Sequence, residues 1–259
     1  MSHAGQKRPP SAAPLVRGGA RGLPAGSVVD SQSHDWSQLI LAAEGALRVR
    51  SGTRLWVVPA GHALWVPAGD VHAIRGVGHA IRSNGHVEMR TVYLPPGTAP
   101  GLAERIVVLP VTPLLHELIL HTIERAPLQR GVPEHERLAG VLVDLLSEAK
   151  PLPLELPWPS HPRALAAARH IWANPADASS IAELARIARS SARTLRRLFV
   201  RETGLPLGRW RRRARLLTAV RALAEGRSVA EVAREVGYES TSGFGAMFHR
   251  QLGVTPGSL

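Results

Sequence analysis

Between residue 27 and about residue 109 the apolar positions fall in short runs broken by Gly, Pro and Asp, the pattern of β-strands joined by tight turns. The clearest runs are 46–49, 54–58, 63–66 and 89–94. From Pro113 the period changes. Leu114, Leu115, Leu118 and Ile119 recur at helical spacing, and so do Leu138, Val141, Leu142, Leu145 and Leu146. These runs predict two helices, over 114–125 and 137–148, whose apolar faces are available to the strands or to a second copy of the chain. Residues 151–159 then hold four prolines in nine positions, which excludes a helix and reads as a semi-rigid spacer. The expected organisation is a flexible tail over 1–24, a β-rich sensor and dimerisation domain over 25–150, a Pro-rich linker over 151–159 and an all-α domain over 160–259.

The last domain contains a repeat. Ser180-Ile-Ala-Glu-Leu-Ala-Arg186 matches Ser228-Val-Ala-Glu-Val-Ala-Arg234 at five of seven positions. Each copy opens on a Ser suited to cap a helix, with Glu three residues on to complete a capping box. A short turn follows in each, Arg189-Ser190 in one and Gly237-Tyr238-Glu239 in the other. A second helix then starts at Ser191 or Ser240, with Leu195, Leu198 and Phe199, or Phe244, Met247 and Phe248, on its inner face. Helix, tight turn and helix form the unit that places its second helix in the DNA major groove. Leu207, Trp210, Ala214, Leu217, Val220 and Ala224 predict one amphipathic helix joining the two units and ending at Gly226.

Charge agrees with this reading. Residues 160–259 carry 17 Arg, no Lys and 7 acidic residues, a net +10 of the chain's +12. Such a concentration on one domain is the footprint of a polyanionic partner. The chain has no cysteine, which excludes disulfides, thiolate metal sites and a cysteine nucleophile, including that of an alkyl-acceptor repair protein. No apolar run reaches the roughly 20 residues of a membrane span. The first 24 residues lack the apolar core of a signal peptide, so a cytoplasmic, nucleoid-associated protein is expected.

On these residues the C-terminal segment resembles the DNA-binding domain of the AraC/XylS family of transcription regulators. The likeness includes the signature Gly237-Tyr238-x-Ser240-x-Ser242-x-Phe244-x-x-x-Phe248 and the closing Leu252-Gly253-x-x-Pro256. The layout as a whole is similar to the NimR-type branch, in which an N-terminal cupin precedes that domain. The resemblance implies an α+β chain of two domains: a cupin-like β-barrel with following helices, then an all-α double helix-turn-helix. It implies a non-enzymatic, sequence-specific regulator, an activator or repressor, that answers to a small-molecule effector. Its partners would be promoter or operator double-stranded DNA, the effector, RNA polymerase and a second copy in a homodimer, with no membrane. The DNA-binding candidates that match the family pattern are Ser191, Ala192, Arg193, Arg196 and Arg197 on the first reading helix. On the second they are Ser240, Thr241, Ser242, Gly245, His249 and Arg250. Two departures set the units apart: Arg189 stands where the family usually has Gly, and Ala246 where many members have Arg.

The first half holds two further strings, His34-(three residues)-Gln38-(six residues)-Gly45 and Gly61-(five residues)-Pro67-Ala-Gly69-Asp-Val-His72. In a small closed barrel, alternate strand residues point inward, so His34, Gln38 and His72 are expected to converge. These spacings match both halves of the cupin motif. A metal-binding cupin has a further His where this chain has Gln32, and usually Glu where it has Gln38. The two histidines left, His34 and His72, are weak metal candidates, so neither a metal nor another cofactor is expected. The expected site is instead a polar one for a small effector, made by Gln32, His34, Gln38 and His72, with Trp36, Trp56 and Trp65 as apolar walls. The alternatives left open are a cupin enzyme with a DNA-binding appendage and an architectural DNA binder without an effector.

Overall fold

The structure is a computed structural model that describes residues 13–24, 27–43, 45–77, 86–102 and 104–258. Among the described residues, ten strands form two antiparallel five-stranded sheets. The first has the order β1 (Arg17–Pro24), β8 (His86–Leu94), β3 (Ser37–Ala42), β6 (His62–Val66), β9 (Val107–Pro110). The second has the order β10 (Glu155–Pro157), β5 (Arg54–Pro59), β4 (Ala46–Ser51), β7 (His72–Val77), β2 (Val28–Gln32). Among the described residues the two sheets do not join into the closed barrel the sequence led us to expect. Each keeps two edge strands, so the architecture is a cupin-like sandwich.

Every residue of β3 is buried, which means that its sheet is covered on both faces. Ile40 and Ala42 face the interior with Leu47, Val49, Trp56, Val58 and Ile74 of the opposite sheet. Leu39 and Leu41 face the other way, onto α1 (Pro113–Arg125) and α2 (Pro133–Glu148), where they meet Leu115, Ile119, Leu142 and Leu146. The two helices are therefore held to the sandwich by one side of each amphipathic stripe.

Two boundaries need correction. The expected tail over 1–24 is ordered strand from Arg17, paired with β8 along all eight of its residues; residues 1–12 lie outside the described residues. The Gly-rich run hides this strand because it shows no apolar alternation. Its use is steric: a Cβ on Gly18 would meet the Ile123 backbone at 2.9 Å, so glycine lets α1 lie directly on β1. The Pro-rich segment is not a free spacer either. The Leu152 N–H donates to the Val108 carbonyl of β9 at 2.8 Å, and 155–157 then pair with β5 as an edge strand. An edge position suits Pro157, because a missing N–H costs nothing on the unpaired side.

The C-terminal half holds α3 (Pro162–Ala173), α4 (Ile181–Ile187), α5 (Ala192–Thr203), α6 (Leu207–Ala224), α7 (Val229–Glu235) and α8 (Thr241–Leu252). Leu216, Ala219, Ala222 and Leu223 of α6 are buried as well as the predicted Trp210, Ala214, Leu217 and Val220. The extra buried face exists because α6 also packs on β5 and β10. One hydrophobic core thus runs from the second sheet into the helical domain.

Candidate nucleic-acid interface and sensor cluster

The two helix-turn-helix units are built alike. In each, the capping box forms: Ser180 accepts from the Glu183 N–H while Glu183 accepts from the Ser180 N–H, and Ser228 with Glu231 repeats the pair. Ser191 caps α5 through the Thr194 N–H at 3.1 Å, and Ser240 caps α8 through the Gly243 N–H at 3.1 Å. The turns match bond for bond. Ser190 N–H donates to the Ala185 carbonyl and Tyr238 N–H to the Ala233 carbonyl, both at 2.9 Å.

That match resolves the role of Arg189. It adopts φ 47°, the left-handed conformation that Gly237 adopts at φ 81°. Gly237 is needed for a second reason, since a Cβ there would lie 3.0 Å from the Ala176 Cα. At the first turn the Arg189 side chain is exposed, and the turn bears the conformational cost of a non-glycine residue.

Leu195, Leu198 and Phe199 bury the inner face of α5, and Phe244, Phe248 and Leu252 that of α8. On the opposite face Arg193, Arg196 and Arg197 are exposed, and none has an ion-pair partner among the described residues. Ser191 is exposed and Ala192 half-buried beside it. The second unit presents Ser240, Thr241, Ser242, Ala246, His249 and Arg250, with Gly245 half-buried. Its outer face is chemically poorer, with small residues where α5 has guanidinium groups. The connecting helix α6 spans 18 residues, about 27 Å at helical rise.

In the sandwich, three of the predicted sensor residues do meet. The His34 and His72 rings lie 5.8 Å apart, edge to face. Gln38 Nε2 donates to the Tyr93 hydroxyl at 3.3 Å, and the Tyr93 ring stands 5.4 Å from His34. Gln32 pairs with His72 in the β2–β7 register. His72 Nδ1 is held by the Asp70 carbonyl at 3.0 Å, which turns Nε2 inward. Burial is the main cause that pushes the His72 pKa below its usual value, with the neighbouring His34 adding to it, so the ring is neutral near pH 7. His34 Nε2, His72 Nε2 and Gln38 Oε1 are buried without a hydrogen-bond partner. Three orphaned polar atoms in one cluster call for a partner.

Of the three tryptophans expected as walls, Trp65 is excluded. Trp65 pairs with Leu39, so it shares the face turned to α1 and α2 and points away from Gln38. Trp56 is core on the opposite sheet, with its Nε1 also unpartnered. Trp36 lies under the Arg17 guanidinium, 4.4 Å from its ring centroid. Arg17 pairs with Tyr93, which places Trp36 next to the cluster. Tyr93 is the residue the sequence reading missed. Its only signal was a polar ring at an alternate position in an apolar strand. Among the described residues no three His, Cys, Asp or Glu side chains gather as a metal site. Among the same residues, no helix is long and apolar enough to cross a membrane.

Comparison with known proteins agrees with this geometry. Residues 16–192 match the family described as AraC-like ligand binding domain, and residues 184–259 that described as helix-turn-helix domain. The chain is 34% identical over 224 residues to the HTH-type transcriptional regulator NimR of Escherichia coli, covering 86% of this chain and 79% of that protein. It is 37% identical over 124 residues to the HTH-type transcriptional regulator RipA of Corynebacterium glutamicum, 48% of this chain and 37% of that one. Among solved structures, unsaturated fatty acid-bound ToxT of Vibrio cholerae aligns over 96% of this chain and 95% of its own, at 8% identity and a TM-score of 0.37. The chain belongs to the AraC family of helix-turn-helix transcriptional regulators, with an N-terminal AraC-like ligand-binding domain.

Proposed function

We propose that this regulator reads operator DNA unequally with its two units and answers to a neutral polar small molecule held between its sheets. The observation that carries the first half is the row of exposed, unpaired Arg193, Arg196 and Arg197 on α5 against the small residues of α8. An arginine grips guanine O6 and N7 through two hydrogen bonds, while a hydroxyl offers one less specific contact. On this reading Arg193 and Arg197 read bases, and Ser191, Ala192 and Arg196 set the helix on the backbone. Ser240, Thr241, Ser242, Gly245, His249 and Arg250 position the second unit. The stiff α6 fixes the angle between them, so that both enter one face of the duplex.

The second half rests on the orphaned His34, His72 and Gln38 atoms. Neutral imidazoles and an amide offer both donors and acceptors with little net charge, which suits a polar or heteroaromatic effector better than a bare cation. Gln32 and Tyr93 extend the same hydrogen-bonding surface. The protein works in the cytoplasm at promoter DNA, beside RNA polymerase, as a homodimer and without catalysis.

Footprinting on the DNA next to its own gene, with and without candidate metabolites, tests both halves. Two protected patches about one helical turn apart are expected, roughly 10 bp. In a reporter carrying the same promoter, His34→Ala with His72→Ala is expected to abolish the response while protection persists. Protection that is indifferent to sequence, or an unchanged response in the double variant, contradicts the proposal.

A further inference from the structure

A cleft of about 410 Å³ lies on the seam between the sandwich and the helical domain. One wall is the β4–β5 hairpin, with Arg48, Arg50 and Arg54, and the other is α3, with Leu165, Arg169 and Trp172. Trp158, between β10 and α3, closes the cleft between them. The volume is within the range of small-molecule sites, roughly 300–1,000 Å³.

Its electrostatics are one-sided. Arg54 is paired with Glu155, but Arg48, Arg50 and Arg169 have no acidic partner among the described residues. Arg48 stands directly opposite Arg75 in the β4–β7 register, an arrangement that destabilises a sheet. Burial first, and then Arg75, Arg221 and Arg50, push the Arg48 guanidinium pKa downward. Unpaired cations that converge on a concave, partly dry wall attract an anion, and guanidinium groups hold carboxylate or phosphate oxygens in pairs. Leu55, Trp158, Pro159, Leu165 and Trp172 make an apolar side, with Gly52 and Thr53 at the hairpin turn. The Trp158 and Trp172 rings meet edge to face at 5.6 Å.

We propose that this cleft binds a small organic anion, with its acid group on Arg48, Arg50 and Arg169 and a flat apolar body against Trp158 and Trp172. The site is separate from the His34–Gln38–His72 cluster: Leu47 and Val49 of β4 face the interior of the sandwich, while Arg48 and Arg50 alternate outward to the helical domain. It also has a route to the DNA-reading helix. Trp158 packs on Trp210 at 5.6 Å, and Trp210 packs on Phe199 of α5 at 5.6 Å. An occupant thus touches both domains and the first ring of a row that ends at Phe199, on the buried face of α5. Its binding favours the docked arrangement of the helical domain over any other, the differential affinity a switch requires.

The test uses the full chain, followed by tryptophan fluorescence and thermal shift. The probes are 2-naphthoate and 2-naphthyl phosphate, with neutral 2-naphthol and acetate as controls. Saturable binding of one or both anionic probes is expected, with little by 2-naphthol or acetate. Whichever anion binds tighter names the source, carboxylate or phosphate ester. Arg50→Gln with Arg169→Gln changes two exposed side chains and leaves the fold intact. It is expected to weaken the probe about tenfold or more, through loss of two charge-assisted contacts. Arg50→Lys with Arg169→Lys retains most of the binding. Equal binding of 2-naphthol, no binding of either anion, or no effect of the Gln pair overturns the proposal. A Gln pair that weakens DNA binding in the absence of probe also overturns it, because the cleft is then a phosphate-backbone contact.

Discussion

Arg193→Ala and Arg197→Ala should reduce sequence preference far more than Thr241→Ala. Both arginines are exposed and lack intramolecular partners, so their removal leaves the folded chain within about 0.5 kcal/mol of its starting stability. Any loss of DNA binding is then a loss of contacts to DNA. A bidentate guanine contact discriminates by about 1–3 kcal/mol, which corresponds to roughly 5- to 150-fold in the affinity ratio of operator to scrambled duplex. Thr241 offers one hydroxyl at the first turn of α8, worth about 1 kcal/mol net, or roughly fivefold. The assay is fluorescence anisotropy of the full chain on the footprinted operator and on a scrambled duplex, repeated at two salt concentrations. A base-reading arginine lowers operator affinity selectively, whereas a phosphate-binding one lowers both affinities and reduces the salt slope by about one. The reasoning fails if Thr241→Ala costs as much specificity as Arg197→Ala. It fails equally if both arginine variants weaken the two duplexes alike.

Arg189→Gly should stabilise the protein by about 1 kcal/mol in urea unfolding, because the native φ of 47° is unfavourable for any residue with a Cβ; destabilisation would show that the Arg189 side chain makes an essential contact. The His72 pKa is depressed in the folded state, so the unfolded chain takes up the proton first and stability is lost as pH falls below about 6.5. His72→Gln should flatten that part of the pH–stability curve, and an unchanged slope would exclude His72 as its cause. Leu114 and Val141 are exposed apolar side chains on α1 and α2, 63% and 47% accessible. If these helices form the homodimer, Leu114→Arg with Val141→Arg should convert the full chain to a monomer in light scattering, and a wild-type monomer at every concentration would refute the assignment.

The sequence was most informative where one local rule decides the structure. The two capping boxes, the Ser191 and Ser240 caps and the apolar stripes of α5 and α8 each lie within a few residues, and each formed where the pattern placed it. The convergence of His34, Gln38 and His72 was also legible, because strand alternation fixes which residues share a face. The same alternation rejects Trp65: it is one residue from Val66, which pairs with Gln38, so it must face away. What stayed hidden depends on partners distant in sequence. β1 carries no apolar pattern, and only its pairing with β8 and the approach of α1 to Gly18 reveal it. The second buried face of α6, with Leu216, Ala219 and Leu223, has meaning only once a sheet lies against it.

That shared surface changes how a signal reaches the DNA. A Pro-rich spacer suggested two bodies coupled by a stiff tether, but the described chain fastens them at several points. β10 is a strand of the sensor sheet, and the Trp210 indole N–H of α6 donates to the Pro157 carbonyl at 2.6 Å. Within the helical domain, Glu202 of α5 accepts from the Ser160 and His161 N–H groups at 2.9 and 2.7 Å and from the Ser160 hydroxyl at 2.9 Å, which ties the end of the Pro-rich segment to α5. The His161 N–H first, then the Arg201 guanidinium and the Ser160 groups, hold the Glu202 pKa down to about 2, so the clasp stays charged throughout the neutral range. Its stabilising effect is complete above the carboxylate's ordinary value of 4.5 and is lost only as pH falls toward 2, which rules out proton uptake at Glu202 as the physiological release. On the proposed function the switch is a ligand. It acts by the difference between its affinities for the fastened and the loosened arrangement, however tightly it binds either. The reading helix α5 carries both the clasp residue Glu202 and the base-reading candidates Arg193 and Arg197. On the proposed function, loosening the seam moves the same helix that is to meet the operator.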